Sequence, residues 1–135
     1  MNELTLEATL ENLTKVIGFL EERLEEAGCP MKAQMQITIA AEEIYVNIAS
    51  YAYAPGTGEA TVRFEITDAP TAARITFIDG GVPFDPLAKA DPDVTLSAEE
   101  RNIGGLGIYM TKKTMDEVRY AYKDGKNVLT LVKHF

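Results

Sequence analysis

Three groups of residues have types and spacings that can do chemistry. Glu43 and Asn47, in "AAEEIYVNIASYAY", are four residues apart, which stacks them on one face of a helix. An amide oxygen suits Mg2+, which takes oxygen ligands and keeps part of its water shell. A carboxylate half out of water can act as a base toward a hydroxyl or water when its pKa is raised. The same pair also reads as an ordinary polar couple on a solvated helix face. Asp79 ends the apolar run "ITFID" and is followed by Gly80 and Gly81. An acceptor-only carboxylate beside backbone that lacks Cβ atoms can take an exocyclic amine, such as adenine's, and let a flat ring approach the main chain. The plainer reading is a turn that closes a strand. In "RNIGGLGIYM", Gly104, Gly105 and Gly107 stand in front of an apolar run of helical character. Glycine inside a helix costs about 1 kcal/mol relative to alanine, so a cluster of them points to another purpose. Unhindered N–H groups at a helix start attract phosphate through their donors and the macrodipole. A bend is the alternative. The pattern lacks the Lys-Ser/Thr of a Walker loop, and no strand directly precedes it as in a dinucleotide fingerprint.

The elements that must position these groups follow from periodicity. "LTLEATL" (4–10) alternates like a short strand. Apolar residues at Leu13, Val16, Ile17, Leu20 and Leu24 mark an amphipathic helix over 11–27, ended by Gly28 and Pro30. A second helix is predicted over about 31–51, with its stripe at Ile37, Ala40, Ala41, Ile44, Ile48 and Tyr51. Glu43 and Asn47 share the row Ala40–Glu43–Asn47–Ser50 at the edge of that stripe. The alternating segments 60–67 and 73–80 predict an antiparallel hairpin around "DAPTA". From Gly80 to Gly105 proline and glycine are frequent and periodicity is weak, apart from a short turn expected at Ser97–Arg101. A segment this long without regular structure inside a domain is usually functional or disordered. A helix over about 106–115 and two strands, "DEVRYAYK" and "KNVLTLVKHF", joined at Asp124-Gly125, complete the chain. The expected fold is α+β, a two-layer α/β sandwich with a mixed, mainly antiparallel sheet and the helices on one face.

Bulk properties narrow the function classes. With 135 residues, 46% of them hydrophobic, one domain over 1–135 is expected, able to bury a core without disulfides or a structural metal. The single cysteine, Cys29, forms no internal bridge and suits a reducing compartment. There is no His/Cys spacing for zinc, and the single histidine, His134, is next to last. A net charge of −8 argues against non-specific nucleic-acid binding. The first residues lack the basic flank and apolar core of a signal peptide, and no apolar run reaches the roughly 18 residues of a membrane span. A cytoplasmic protein is expected, with neither nucleic acid nor membrane as a partner.

Taken in order, Glu-x-x-x-Asn on a helix, Asp-x-Gly after a strand, a long loop and Gly-Gly-x-Gly at a helix start resemble the GHKL ATP-binding superfamily. Within it the chain most resembles the small single-domain anti-sigma factor serine kinases, over nearly its whole length. That resemblance implies a Bergerat-type fold binding ATP and Mg2+. Asn47 matches the Mg2+-binding asparagine and Glu43 the general base. Asp79 matches the acceptor of the adenine amine, with Gly81 admitting the ring. Gly104, Gly105 and Gly107 match the glycines around the phosphates, and Thr130 the late-strand threonine that assists adenine recognition. The segment 84–103 matches a lid that closes over ATP, with Lys89 and Arg101 its only cations. Two departures stand out: Tyr51 occupies the place where the family often has histidine, and Glu42 adjoins Glu43. The one-turn offset to Asn47 favours Glu43 as the base.

The function implied is an ATP-dependent serine/threonine-protein kinase that acts as an anti-sigma, transcription-regulating factor. Its partners would be a sigma factor and a small antagonist protein that it phosphorylates. An exposed helix or sheet face leaves room for a homodimer, as in similar proteins. The alternative is a non-catalytic ATP/ADP-binding module that switches protein partners as its lid orders. A stand-alone histidine-kinase catalytic domain ranks last, since the sequence offers no acceptor-histidine helix.

Overall fold

A computed structural model describes residues 2–68, 70–88 and 103–135, with only the backbone of 103–106. Strand β1 (Asn2–Glu7) leads through a 3-10 turn at Leu10–Asn12 into helix α1 (Leu13–Glu26). Helix α2 (Met31–Asn47) runs on into a wider, π-type turn at Ile48–Ala52. Strands β2 (Glu59–Thr67) and β3 (Ala72–Asp79) form a hairpin, followed by a 3-10 turn at Pro86–Ala88. Helix α3 (Ile103–Thr114) precedes the closing hairpin of β4 (Glu117–Lys123) and β5 (Lys126–His134). The five strands pair in the order β1-β2-β3-β5-β4, and every pairing is antiparallel, so the mixed sheet expected from the sequence is in fact uniform.

Period-two alternation decides which face of the sheet is covered. Val62 and Phe64 on β2, Ile75 and Phe77 on β3, and Leu129 and Leu131 on β5 are buried under the helices. Their neighbours Arg63, Glu65, Arg74 and Thr76 point to the other face, where exposed ion pairs join Arg63 to Glu3 and Arg74 to Glu65. Above the apolar face, α1 buries Val16, Phe19, Leu20 and Leu24, while α2 buries Ile37, Ala40, Ala41 and Ile44. Helix α2 lies in contact with both α1 and α3. The apolar rows of β3 and β5 end in polar residues at the same edge: Asp79 and Asn127 face each other in the register and are 5% and 6% exposed. The core therefore stops at a buried carboxylate and a buried amide.

Several expectations shift at element ends. The first strand stops at Glu7, because Thr9 is drawn to the buried Tyr45 hydroxyl, which accepts from the Thr9 N–H and donates to its carbonyl. Helical winding reaches Ala52, but the last five residues widen into a π-type turn whose Ala52 carbonyl accepts from the Val82 N–H at 3.0 Å. Helix α3 begins at Ile103, so Gly104, Gly105 and Gly107 lie inside its first turns and do not precede them. Of the expected lid, residues 84–88 are described, with Pro86 buried and Leu87 packed on the core. The remainder, including Lys89, Arg101 and the turn at Ser97–Arg101, lies outside the described residues. The hairpin turn stands at Asp124-Gly125, both at positive φ (54° and 76°), as a two-residue turn matched to strand twist requires. No helix among the described residues is long and apolar enough to cross a membrane.

Candidate active site

Asp79 sits at the base of a slot walled by Ile44 of α2, Phe77 of β3, Leu129 of β5 and Val82 of the following loop. These walls are apolar and suit a flat heterocycle, and the carboxylate supplies one polar anchor. Its Oδ1 accepts from the Gly81 N–H at 2.9 Å and from Asn127 Nδ2 at 3.0 Å. No donor among the described residues reaches Oδ2. One oxygen is saturated by the protein, and the other stays open at the base of the slot.

Asn47 closes α2 and lines the same slot, half-buried, with no side-chain hydrogen bond among the described residues. One turn earlier, the Glu43 carboxyl projects toward α3. A Cβ placed on Gly107 would fall on that carboxyl, so glycine is what lets α3 approach. Burial, and secondarily the neighbouring charge of Glu42, hold the Glu43 pKa above the usual carboxylate range. Glu43 makes no ion pair or hydrogen bond among the described residues. Glu42 is exposed, so of the two adjacent carboxylates only Glu43 is drawn out of water. The helix thus presents a carboxyl and, one turn on, an amide, neither with a side-chain hydrogen bond among the described residues. Gly104 and Gly105 lie in the first turn of α3, where helix N–H groups lack intrahelical acceptors. Along α2, Asn47 shares the slot with Asp79, and one turn earlier Glu43 meets α3 at Gly107. Tyr51, at the position noted as a departure, lines the slot and is 62% exposed.

Two expected site residues are placed elsewhere. Thr130 pairs with Thr76 on the open face of the sheet, beside Arg74 and Arg119, with the full thickness of β5 between it and the slot. The strand period of two is the reason: Leu129 and Leu131 face inward, so Thr130 faces outward. The β5 side chain that reaches Asp79 is Asn127. Gly81 does not line the slot. A Cβ there would strike the Ala52 carbonyl, so its glycine serves to seat the loop on the end of α2, and its N–H orients Asp79.

Sequence reading missed three residues of the site. Asn127 is in phase with Leu129 and Leu131, and an amide ending an inward apolar row was the signal for it. The Tyr53 hydroxyl accepts from the Gly80 N–H at 2.6 Å and donates to the Glu59 carbonyl at 2.6 Å, clamping the turn after Asp79 from the other side. Burial raises the Tyr53 pKa and keeps that hydroxyl protonated as a donor. Tyr120 of β4 donates to Asn127 Oδ1. Neither tyrosine is marked by any sequence motif.

With this geometry in place, comparison with known proteins is informative. Residues 6–133 match the histidine kinase-like ATPase domain family. The chain is 26% identical over 131 residues to the serine/threonine-protein kinase BtrW of Bordetella bronchiseptica, covering 97% of this chain and 92% of the relative. It is 31% identical over 108 residues to the serine-protein kinase RsbW of Listeria monocytogenes, covering 76% and 68%. Its fold is similar to a crystal structure of the RsbU and RsbW domains of Rv1364c from Mycobacterium tuberculosis, with a TM-score of 0.67 at 20% identity. That match takes in 98% of this chain, which spans 32% of the other.

Proposed function

Because the chain belongs to the histidine kinase-like ATPase domain family, we propose that it is an ATP-dependent serine/threonine-protein kinase acting as an anti-sigma factor. In this reading it holds a sigma factor in the cytoplasm and phosphorylates a small antagonist protein on a hydroxyl side chain. The observation that carries the reading is the division of labour along α2. The helix walls an apolar slot based on Asp79 and, one turn back from Asn47, presents a carboxyl whose pKa is raised by burial.

Adenine enters the slot edge-on, and its exocyclic amine donates to Asp79 Oδ2, the oxygen the protein leaves open. The triphosphate then runs past Asn47 toward the first turn of α3, where Gly104 and Gly105 present backbone without side chains, with Gly107 one turn on against Glu43. Among the described residues no group of three or more His, Cys, Asp or Glu is placed to hold a metal. One amide oxygen together with phosphate oxygens and water is the donor set that fits Mg2+. Bound there, Mg2+ would offset the charge of the transferring phosphoryl group. Glu43 takes the proton of the acceptor hydroxyl, and its raised pKa makes it a better acceptor at neutral pH than an exposed glutamate. The groove between α2 and α3, of ≈ 620 Å³ and lined by Glu43, Ile39, Val46 and Met110, leaves that carboxyl reachable from outside.

Incubation with labelled Mg–ATP and a candidate antagonist is expected to place phosphate on one of its serines or threonines. Glu43→Gln should bind ATP and transfer nothing. A stoichiometric, nucleotide-dependent complex with unmodified partner, indifferent to Glu43→Gln and abolished by Asp79→Asn, would instead select a non-catalytic switch.

A further inference from the structure

Asn127 is the most heavily committed side chain near the slot. Its Nδ2 donates to Asp79 Oδ1 at 3.0 Å and to the Val82 carbonyl at 2.8 Å. Its Oδ1 accepts from the Phe84 N–H at 3.1 Å and from the Tyr120 hydroxyl. Two donors and two lone pairs are the whole capacity of a side-chain amide, so every one is used. All four partners line the pocket; three of them are the carboxylate at its base and the backbone on both sides of Pro83. The fourth, Tyr120, ties the group to strand β4, and burial raises the pKa of that hydroxyl so that it stays a donor.

Having no free donor or acceptor, Asn127 cannot read the base itself. We propose that Asn127 is a positioning residue for nucleotide selection: it occupies Asp79 Oδ1 so that only Oδ2 meets the base, and it locks Val82 and Phe84 to that same carboxylate. The proposal rests on the nucleotide reading above and deepens it. A carboxylate with both oxygens open could rotate to meet a base in more than one way. With one oxygen held by Asn127 and the Gly81 N–H, a single acceptor lies at a fixed place. A 6-amino purine satisfies it, and a 6-oxo purine opposes an oxygen to it. Selectivity then depends on a side chain whose own donors and acceptors are all engaged by the protein. The same amide fixes the backbone that carries the Val82 wall, so the slot's width and its polar base are set together.

The test compares Mg–ATP with Mg–ITP, which carries an oxygen where ATP has the amine, on wild type, Asn127→Leu and Asn127→Thr. Calorimetric titration gives the affinities, and hydrogen exchange follows the Phe84 amide. Wild type is expected to prefer ATP and to protect Phe84. Asn127→Leu, close in volume but without hydrogen bonds, should lose about tenfold or more in ATP affinity, narrow the ATP:ITP ratio and expose Phe84. Asn127→Thr offers a single hydroxyl to Asp79, so it should keep most of the ratio while Phe84 exchanges faster. If Asn127→Leu does not fold, the Thr variant decides: wild-type protection at Phe84 overturns the proposal. Equal losses for both nucleotides, leaving the ratio unchanged in the Leu variant, also overturn it, because that is what a purely structural residue would give. Wild type that binds neither nucleotide overturns the nucleotide reading, and this proposal with it. Wild type that selects ATP beside variants that select it equally well overturns this proposal alone.

Discussion

Two carboxylates, Glu43 on α2 and Asp79 in the slot that α2 walls, stand in opposite circumstances. Asp79 is gripped: Asn127 and the Gly81 N–H hold one oxygen, and Tyr53 clamps the turn that follows. Glu43 is ungripped, with no ion pair or hydrogen bond among the described residues, and lies against bare glycine backbone on α3. Recognition needs an acceptor fixed in place, which hydrogen bonds to the carboxylate provide. Proton abstraction needs an acceptor whose pKa has moved up, which hydrogen bonds or a cation would prevent. The surroundings of the two acids thus differ in the way the proposed division of roles requires.

The largest expected effect comes from breaking the ungripped side. Glu43→Gln keeps the shape and removes the base, so phosphoryl transfer in a single-turnover assay should fall by about 10²–10⁴-fold with ATP affinity unchanged. Breaking the gripped side gives the opposite pattern. Asp79→Asn turns part of the acceptor into a donor aimed at the adenine amine and is expected to weaken ATP binding about 10–100-fold by calorimetry. Gly107→Ala sharpens the contrast, because the new methyl displaces the Glu43 carboxyl and leaves Asp79 untouched. Turnover should drop roughly tenfold with ATP binding within a few-fold of wild type.

The pKa of Glu43 also makes a stability prediction of definite sign. Its folded pKa is raised, chiefly by burial and then by Glu42. The folded state therefore binds this proton more tightly than the unfolded state, and stability falls as pH rises through the folded pKa. At neutral pH the wild type carries that penalty and Glu43→Gln does not. The variant should melt at a higher temperature at pH 7–8, and the difference should vanish below the ordinary glutamate range. The smallest effect is expected at Thr130. On the open face of the sheet, Thr130→Val should leave ATP affinity within about twofold, which separates it from Asn127 three residues earlier.

The contrast between Thr130 and Asn127 also marks how far the sequence could be read. Glu43, Asn47 and Asp79 could be singled out as candidates because a helix stripe and a strand end are local patterns, each fixed by the few residues around it. The apolar stripe of α2 and the alternation in β2, β3 and β5 were legible for the same reason. Finding that Asn127 is the β5 side chain that meets Asp79 required pairing strands 48 positions apart in sequence; the resemblance pointed to Thr130 as an aid to adenine recognition, out of phase with Leu129 and Leu131. Gly81 and the three glycines of α3 were visible as glycines. The neighbours of Gly81 and Gly107, the Ala52 carbonyl and the Glu43 carboxyl, come from distant segments, so the reason for those two glycines was not legible. The strand order, with β5 between β3 and β4, follows from the same non-local pairing. Tyr53 and Tyr120 carry no motif, because their work is done by a hydroxyl whose partners are backbone and an amide.

The most direct measurement is a parallel calorimetric titration of Mg–ATP into wild type, Glu43→Gln and Asp79→Asn. Wild type and Glu43→Gln should bind with matching affinity while Asp79→Asn binds far more weakly. No heat from folded wild type, or equal losses in the two variants, would contradict the assignment of one acid to the base and the other to the phosphoryl acceptor.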